Sequence, residues 1–194
     1  AGLEEPARPL VFAKFPSSAI GPDEAIVIDS RLTARVDWEV ELGVVIGRRA
    51  TRVAAADALD HVFGYTVAND VSARDVQFAD GQWVRGKSLD TFCPIGPVVV
   101  TRDDVPDPQS IRLATRVNGE TVQDSSTAEM VFGVRELIEF CSASFTLEPG
   151  DLLITGTPWG CGEFMFPQRS LKDGDIVEVE AKGIGILRNT VVAR

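Results

Sequence analysis

The sequence predicts an α+β fold that is mostly β, with a few short helices. Apolar and polar residues alternate over several short segments, which is the pattern of half-buried strands. Turn residues such as Asn118-Gly119 separate these segments. Helical spacing of apolar residues is confined to a few stretches, the clearest of which begins near Ser126. Because 194 residues can bury one sizeable core, we expect a single domain over residues 1–194.

The composition argues against several classes of partner. The formal net charge is −10, whereas nucleic acids and anionic membranes bind clustered Lys and Arg. No apolar run approaches the roughly 18 residues that span a bilayer. Cys93, Cys141 and Cys161 are far apart and odd in number, so they are predicted to be reduced thiols of a cytoplasmic protein. The expected partner is therefore a small molecule, with neither nucleic acid nor membrane.

The first part of the chain is predicted to consist of strands and short helices. We expect four strands and one short helix in this order: strands at residues 10–15, 25–28 and 37–47, a helix between residues 48 and 60, and a strand at residues 62–68. The last strand ends at Asn69-Asp70. Strand ends often position functional side chains, but Asp is equally common as a turn residue or helix cap. The following Ser72-Ala73-Arg74-Asp75 resembles a capping box that opens a short helix.

The second part combines a loop, further strands and the longest predicted helix. Residues 81–94, rich in glycine and aromatic residues and carrying Lys87, are predicted to be a loop of the kind that often holds a site. Ser126 and Glu129 have capping-box spacing and predict the start of a helix. Its apolar stripe runs from Met130 to Cys141. Strands are expected at residues 98–101, 111–117, 121–122 and 176–180, and a last strand pair is expected over residues 183–192.

The strand at residues 37–47 carries acidic side chains on one face. Successive side chains of a strand point to opposite faces, so Glu39 and Glu41 are neighbours. At roughly 7 Å and an effective dielectric of about 20, their carboxylates would repel by about 2 kcal/mol. Solvent on an exposed sheet face would compensate for this repulsion, and so would a divalent cation with oxygen ligands. The pattern alone leaves both alternatives open.

Four motifs of the chain, taken in their order, resemble the C-terminal catalytic domain of the fumarylacetoacetate hydrolase family. These motifs are Val36–Leu42, Phe63–Asp75, Gly86–Phe92 and Leu153–Pro158. The resemblance covers nearly the whole chain. The family members that the chain resembles are acylpyruvase-like and 2-hydroxyhepta-2,4-diene-1,7-dioate isomerase-like. It implies a mixed, largely antiparallel β-sandwich or roll with a few short helices, assembled as a homodimer. It also leads us to expect an N-terminal lid segment upstream of this chain.

The resemblance also implies a site. Glu39, Glu41 and Asp70 would hold Mg²⁺, with Mn²⁺ or Ca²⁺ as alternatives, because these cations prefer carboxylate oxygens. Lys87 corresponds to the catalytic lysine of the family and would pair with a substrate carboxylate or a developing enolate. The implied contacts to substrate are Thr157, Gly156, Gln77, Arg74 and Thr91.

The implied function is a divalent-metal-dependent hydrolase of 2,4-dioxo acids, such as acylpyruvates or fumarylacetoacetate-like acids. The enzyme would cleave a carbon-carbon bond through a metal-bound enolate. The alternatives are an isomerase or decarboxylase of 2-hydroxy-diene dioates or oxaloacetate-like acids in aromatic catabolism, and a dicarboxylate-binding relative without activity. Family hydrolases activate water with a His and a Glu of the lid. Glu4 and Glu5 lie near that position but lack a partner His, so the general base is unassigned.

Overall fold

The structure is a computed structural model in which residues 6–194 are described. Strands are the commonest regular elements in this part of the chain, and the helices are short. The strands are β1 (Ala19–Ile20), β2 (Ala25–Ile28), β3 (Val36–Asp37), β4 (Val40–Ile46), β5 (Val62–Asn69), β6 (Ser72–Ala73), β7 (Cys93–Thr101), β8 (Arg112–Val117), β9 (Glu120–Ser126), β10 (Leu152–Ile154), β11 (Ile176–Ala181) and β12 (Gly185–Ala193). The α-helices are α1 (Arg74–Asp80), α2 (Val84–Lys87) and α3 (Val134–Ser144). The 3₁₀ turns are Pro16–Ser18, Ala55–His61, Arg102–Asp104, Thr127–Glu129 and Gly162–Phe164.

Two five-stranded sheets form the body of the domain. Their strand orders are β1-β7-β5-β4-β10 and β2-β12-β11-β8-β9, and β3 and β6 form a separate two-stranded ribbon. Most neighbours are antiparallel, whereas β1 pairs with β7 and β2 pairs with β12 in parallel. Strands β4, β5 and β7 contact β8, β11 and β12, so the sheets pack against each other. The predicted mixed β fold with a few short helices is confirmed.

The core lies between the two sheets and under α3. Val40, Leu42 and Val67 from the first sheet, Leu187 from the second and Ile138 from α3 are completely buried. Their apolar surface, removed from water, supplies the main stabilising free energy of the domain. Within the described part of the chain, no helix is long and apolar enough to cross a membrane.

Several predicted strands and one turn match the structure. The strand at residues 25–28 is β2, and the strand at residues 62–68 is β5 with one added residue. Asn118 and Gly119 have φ values of 53° and 81° and connect β8 to β9, as a tight hairpin requires. The strand predicted at residues 176–180 is β11, whereas residues 183–192, predicted to be a strand pair, lie mostly in the single strand β12.

The strand predicted at residues 10–15 is wrong. This segment is outside every sheet, and its residues line a pocket instead. Lys14 anchors it by donating hydrogen bonds to Asp70 and to the backbone of Phe92. The apolar residues of the segment therefore form part of a pocket wall. The segment resembles a strand in sequence, but no other strand of residues 6–194 pairs with it.

The helix boundaries also required correction. The chain at Ser126 is still in β9, and Ser126 caps only a 3₁₀ turn by accepting from the Ala128 N–H. Helix α3 begins at Val134, where Glu136 accepts from the Gly133 N–H. This bond satisfies a free N–H at the helix start. The Ser126–Glu129 pattern had predicted a bond of this kind, but at a helix that begins eight residues earlier.

The other helix predictions were partly right. The stretch from residue 48 to 60 holds a 3₁₀ helix, Ala55–His61, and the loop predicted at residues 81–94 contains α2. Helix α1 does begin at Arg74, but Ser72 does not cap it, since its hydroxyl donates to the Asp70 carbonyl. Thus the positions of α1 and of the 3₁₀ helix were predictable, whereas α2 and the capping groups were not.

Candidate active site

Three carboxylates meet where β4 and β5 lie side by side. Val40 is paired with Asn69 and Glu41 with Ala68, so Glu39 and Asp70 adjoin the same end of this pair. The Asp70 N–H donates to the Glu39 carbonyl at 2.9 Å, and the Glu39 N–H donates to Asn69 Oδ1 at 3.0 Å. These bonds fix the backbone on both sides. One oxygen from each of Glu39, Glu41 and Asp70 lies within 4.8 Å of the others.

The trio is buried, which rules out one of the two alternatives left open by the sequence. Glu39, Glu41 and Asp70 are 6%, 3% and 1% exposed. The exposed sheet face is therefore the wrong alternative. A buried carboxylate stays charged only when cations or hydrogen-bond donors compensate for its lost hydration. Cations must accordingly lie close to the trio.

Lys87 provides one of these cations. Its Nζ donates to Glu39 Oε2 and to Asp70 Oδ2, both at 2.7 Å, and the side chain is 2% exposed. Burial acts to lower the pKa of Lys87, but the two carboxylates outweigh it and raise the pKa above its ordinary value. Lys87 is thus a permanently charged group at neutral pH. Gly86 permits this position, because a Cβ there would lie 2.7 Å from the Gln77 backbone nitrogen.

Lys14 provides a second cation, which the sequence analysis missed. Its Nζ donates to Asp70 Oδ1 at 2.6 Å and to the Phe92 carbonyl at 2.7 Å. Burial acts to raise the pKa of Asp70, but Lys14 and Lys87 together lower it below its usual value. A basic residue inside an otherwise apolar segment was the signal that could have identified Lys14.

Arg74 is the third cation, and it is fixed by several partners. Its Nε donates to Asp37 Oδ2 at 2.9 Å, and its Nη2 forms ion pairs with that oxygen and with Glu39 Oε1, at 2.8 and 2.6 Å. Its Nη1 donates to Gln77 Oε1 at 3.1 Å. Arg74 and Gln77 line the pocket as predicted, but they also hold each other in place.

Glu41 differs from the other two carboxylates. Its Oε2 accepts from the Gly156 N–H at 2.7 Å, and no ion pair with Glu41 is formed by residues 6–194. Burial, followed by repulsion from Asp70 and Glu39, raises the pKa of Glu41 well above its usual value. A divalent cation beside Glu41 would remove this penalty. Three carboxylates with one lacking a cation therefore fit an ion of the Mg²⁺ type, which takes hard oxygen ligands.

A glycine-rich segment, residues 155–162, covers the side of the site next to Glu41. Gly156 and Thr157 line the pocket, and Thr157 Oγ1 accepts from Gln123 Nε2 at 3.0 Å. Gly160 has φ of 102°, and a Cβ there would lie 2.2 Å from the Val122 carbonyl oxygen. Only glycine can therefore bring this segment so close to β9.

The charged groups open into a pocket of about 1530 Å³ with largely apolar walls. Phe12, Trp83 and Leu153 are among the apolar residues that line it. Thr91, predicted to contact substrate, is not among its lining residues, because its hydroxyl accepts from the Val27 N–H and fastens β2. Glu4 and Glu5 lie outside the described residues.

The fold and the site define a class of two-sheet β domains that hold a buried carboxylate trio suited to a divalent cation. A sequence model described as fumarylacetoacetate hydrolase C-terminal matches residues 2–192. The chain therefore belongs to the fumarylacetoacetate hydrolase family, a family of enzymes.

Similar proteins include both tautomerases and isomerases. The chain is 48% identical over 188 residues to "Oxaloacetate tautomerase Fahd2a, mitochondrial" of Rattus norvegicus, which covers 96% of this chain and 60% of that protein. It is 50% identical over 189 residues to an uncharacterized protein of Methanocaldococcus jannaschii, and this match covers 97% of this chain and 75% of that protein. The chain thus spans about 60% of the length of the tautomerases it matches.

Solved structures share the fold at high similarity. A fumarylacetoacetate hydrolase from psychrophilic Exiguobacterium antarcticum superposes with a TM-score of 0.94 at 46% identity, covering 97% of this chain and 68% of that one. A 2-hydroxyhepta-2,4-diene-1,7-dioate isomerase from Mycobacterium marinum superposes with a TM-score of 0.90 at 46% identity, covering 97% of this chain and 71% of that one. The family fold is shared by proteins whose names denote different reactions.

Proposed function

We propose that this chain interconverts the enol and keto forms of small 2-oxo dicarboxylates such as oxaloacetate, with a divalent cation held by Glu39, Glu41 and Asp70. The observation that supports this most is the buried carboxylate trio, with Lys87 at 2.7 Å from two of its members, open to a pocket. The tautomerase name of relatives at 48–49% identity favours this reaction over others of the family.

The charge of the site suits an anionic substrate once a cation is bound. We define the charged cluster as the carboxylates Asp37, Glu39, Glu41 and Asp70 with the cations Lys14, Arg74 and Lys87. With all seven groups ionised, its four negative and three positive charges give −1, and a divalent cation changes this to +1. A substrate dianion is then attracted locally, although the whole chain carries −10.

Each group in the site has a distinct task in this proposal. When bound, Mg²⁺, Mn²⁺ or Ca²⁺ would act as a Lewis acid toward the 2-oxo group. Lys87 stays protonated and stabilises negative charge on the enol oxygen as that oxygen loses its proton to solvent water, which returns a proton to the adjacent carbon. Gly156 holds Glu41 through its N–H, and Thr157 presents a hydroxyl to the pocket. Apolar residues of the pocket wall lower the local dielectric constant, which strengthens these electrostatic interactions.

Hydrolysis of a carbon-carbon bond in 2,4-dioxo acids is the second candidate. The TM-score of 0.94 with a structure named as a fumarylacetoacetate hydrolase favours it. Both reactions place charge on the same enol oxygen, so the roles of Lys87 and the trio are common to them. Hydrolysis differs because it also adds water and releases two fragments.

The first experiment is to follow the enol absorbance of oxaloacetate with the chain in Mg²⁺, and then in EDTA. The proposal predicts metal-dependent loss of enol, well above the rate in Mg²⁺ buffer alone, with NMR showing only the keto form as product. Asp70→Asn should abolish the metal-dependent increase in rate, because it removes the charge of one of the proposed metal ligands. Equal rates with and without the chain would refute tautomerase activity. Cleavage of an acylpyruvate into two fragments would establish the second candidate.

We also propose a homodimer as the functional unit and the cytoplasm as its location. Trp159 and Phe166 are 71% and 103% exposed, and large exposed apolar side chains often mark interfaces. Light scattering after size-exclusion chromatography should give twice the chain mass of 20.9 kDa. A monomeric mass would refute the dimer, and fractionation of cells would test the location.

A further inference from the structure

Gln123 connects the two sheets directly beneath the charged cluster. It lies on β9 in the second sheet and is completely buried. Its Oε1 accepts from the Thr115 hydroxyl at 2.7 Å and from the Val40 N–H at 3.1 Å. Its Nε2 donates to Thr157 Oγ1 and to the Pro158 carbonyl, both at 3.0 Å. All four hydrogen-bonding positions of the amide are therefore used.

The partners fix the orientation of this amide. The Val40 N–H can only donate, and the Pro158 carbonyl can only accept. The amide oxygen must therefore face β4, and the amide nitrogen must face the glycine-rich segment. The reversed orientation would place a donor against a donor and an acceptor against an acceptor inside the protein, which is costly.

The fixed amide in turn determines what the Thr157 hydroxyl can do. Thr157 Oγ1 already accepts a hydrogen bond from Gln123, and its own proton is not donated to any other group in residues 6–194. A hydroxyl has one proton to donate. Since Thr157 lines the pocket, this proton is available to an anionic oxygen of a ligand.

The same amide also contacts the backbone between two members of the trio. Val40 lies between Glu39 and Glu41, and its N–H is held by Gln123. One side chain therefore ties the backbone of the proposed metal site to the hydroxyl of the proposed substrate site. We propose that Gln123 is a positioning residue that sets Thr157 as a hydrogen-bond donor to a carboxylate or 2-oxo oxygen of the ligand. This inference rests on the proposed function for the class of ligand.

The test is a double-mutant cycle with oxalate, a small dicarboxylate that has no C–H bond and therefore cannot enolise. Oxalate affinity is measured by calorimetry at saturating Mn²⁺ for the wild-type chain, Gln123→Met, Thr157→Val and the double variant. Each single variant should bind oxalate about 10-fold more weakly, in line with loss of a hydrogen bond to a charged group. The double variant should bind within about twofold of Thr157→Val, because Gln123 has no hydroxyl left to orient.

Thr115→Val is the matched control. It removes a hydroxyl that donates to Gln123 Oε1 but leaves the bonds to Val40 and Thr157, so oxalate affinity should stay within about twofold of wild type. Multiplicative losses in the double variant, or wild-type affinity in Gln123→Met, would overturn the inference.

A second measurement does not depend on the folding of any variant. The crystal structure of the wild-type chain with Mn²⁺ and oxalate should show Thr157 Oγ1 within hydrogen-bond distance of both oxalate and Gln123 Nε2. A Thr157 hydroxyl directed away from oxalate, or no binding of oxalate at all, would overturn the inference. Oxalate binding with these contacts but without turnover of oxaloacetate would refute the proposed function alone.

Discussion

Lys87 lies between two buried carboxylates that would otherwise repel each other. Its contacts of 2.7 Å to both Glu39 and Asp70 make it a fixed counter-charge as well as a group that faces the pocket. A single ammonium therefore serves the folded state and the proposed reaction. The contribution of Lys87 to the folded state and its contribution to the reaction can be separated, because metal binding and turnover respond differently to its replacement.

Lys87→Met should lower kcat/KM for enol oxaloacetate about 10²- to 10³-fold, the usual effect of losing one charge stabiliser. Affinity for Mn²⁺, measured by calorimetry, should stay the same or increase, because an ammonium no longer competes for the carboxylate oxygens. Lys182→Met is the matched control at an exposed lysine and should change neither quantity. Undiminished turnover in Lys87→Met would contradict the assigned role.

Glu41 and Asp70 should affect the metal-free protein in opposite directions. The pKa of Glu41 is raised by burial and by Asp70 and Glu39, so its ionisation destabilises the fold as pH rises above 4.5, its ordinary value. Glu41→Gln should therefore raise the melting temperature in EDTA at pH 7, by a margin that shrinks toward pH 4.

Asp70→Asn provides the contrast. The pKa of Asp70 is lowered by Lys14 and Lys87 against the effect of burial, so its charge stabilises the fold above 3.8 and this stabilisation is lost as pH falls through the lowered pKa. Asp70→Asn should lower the melting temperature at pH 7. A loss of stability in Glu41→Gln in EDTA would show that Glu41 is not the unfavourable charge.

At the scale of elements, the glycine-rich segment must approach β9 closely. A side chain at Gly160 would meet the Val122 carbonyl oxygen, whereas Gly174, whose φ of 81° is also positive, has no atom within 4 Å of an added Cβ. Gly160→Ala should thus destabilise the fold by about 2 kcal/mol more than Gly174→Ala, because overpacking adds to backbone strain. Urea unfolding would measure the difference, and equal losses would contradict the close contact.

The sequence alone was sufficient to predict elements that are determined by residues close together in the chain. Asn118-Gly119 encodes its turn, and short apolar runs identify β2 and β5. The alternation over residues 37–47 does not show that β4 is buried on both faces. Lys14 and the segment at residues 10–15 could not be placed, because their position depends on Asp70, which is 56 residues away. The role of Gln123 was hidden for the same reason, since four partners from separate parts of the chain define it.

The family motifs located most of the candidate site, but not its internal contacts. Glu39, Glu41, Asp70 and Lys87 do come together. Thr91 shows the limit of this approach, because a motif residue can fasten a strand instead of facing the pocket. Which role a side chain takes is decided by packing between elements, and one sequence does not record that packing.

For the whole molecule, the bound cation should act as a stabilising ligand. A site that exists only in the folded state stabilises it by about 2.7 kcal/mol when the free cation is at 100 times its Kd. The melting temperature should therefore rise with Mn²⁺ or Mg²⁺ and fall to its metal-free value in EDTA. The control is Asp70→Asn, which should show little response to either cation. An unchanged wild-type melting temperature would contradict a cation site in the trio.

The parallel pairing of β2 with β12 has a consequence for how a cell makes this protein. Thr190 to Ala193 pair with Ala25 to Ile28, across most of the chain. β12 also separates β2 from β11. A nascent chain on the ribosome therefore cannot complete the second sheet until about residue 193 has left the exit tunnel, so β2 waits without the strand it pairs with. During this interval the edge of β2 is open to pairing with other chains.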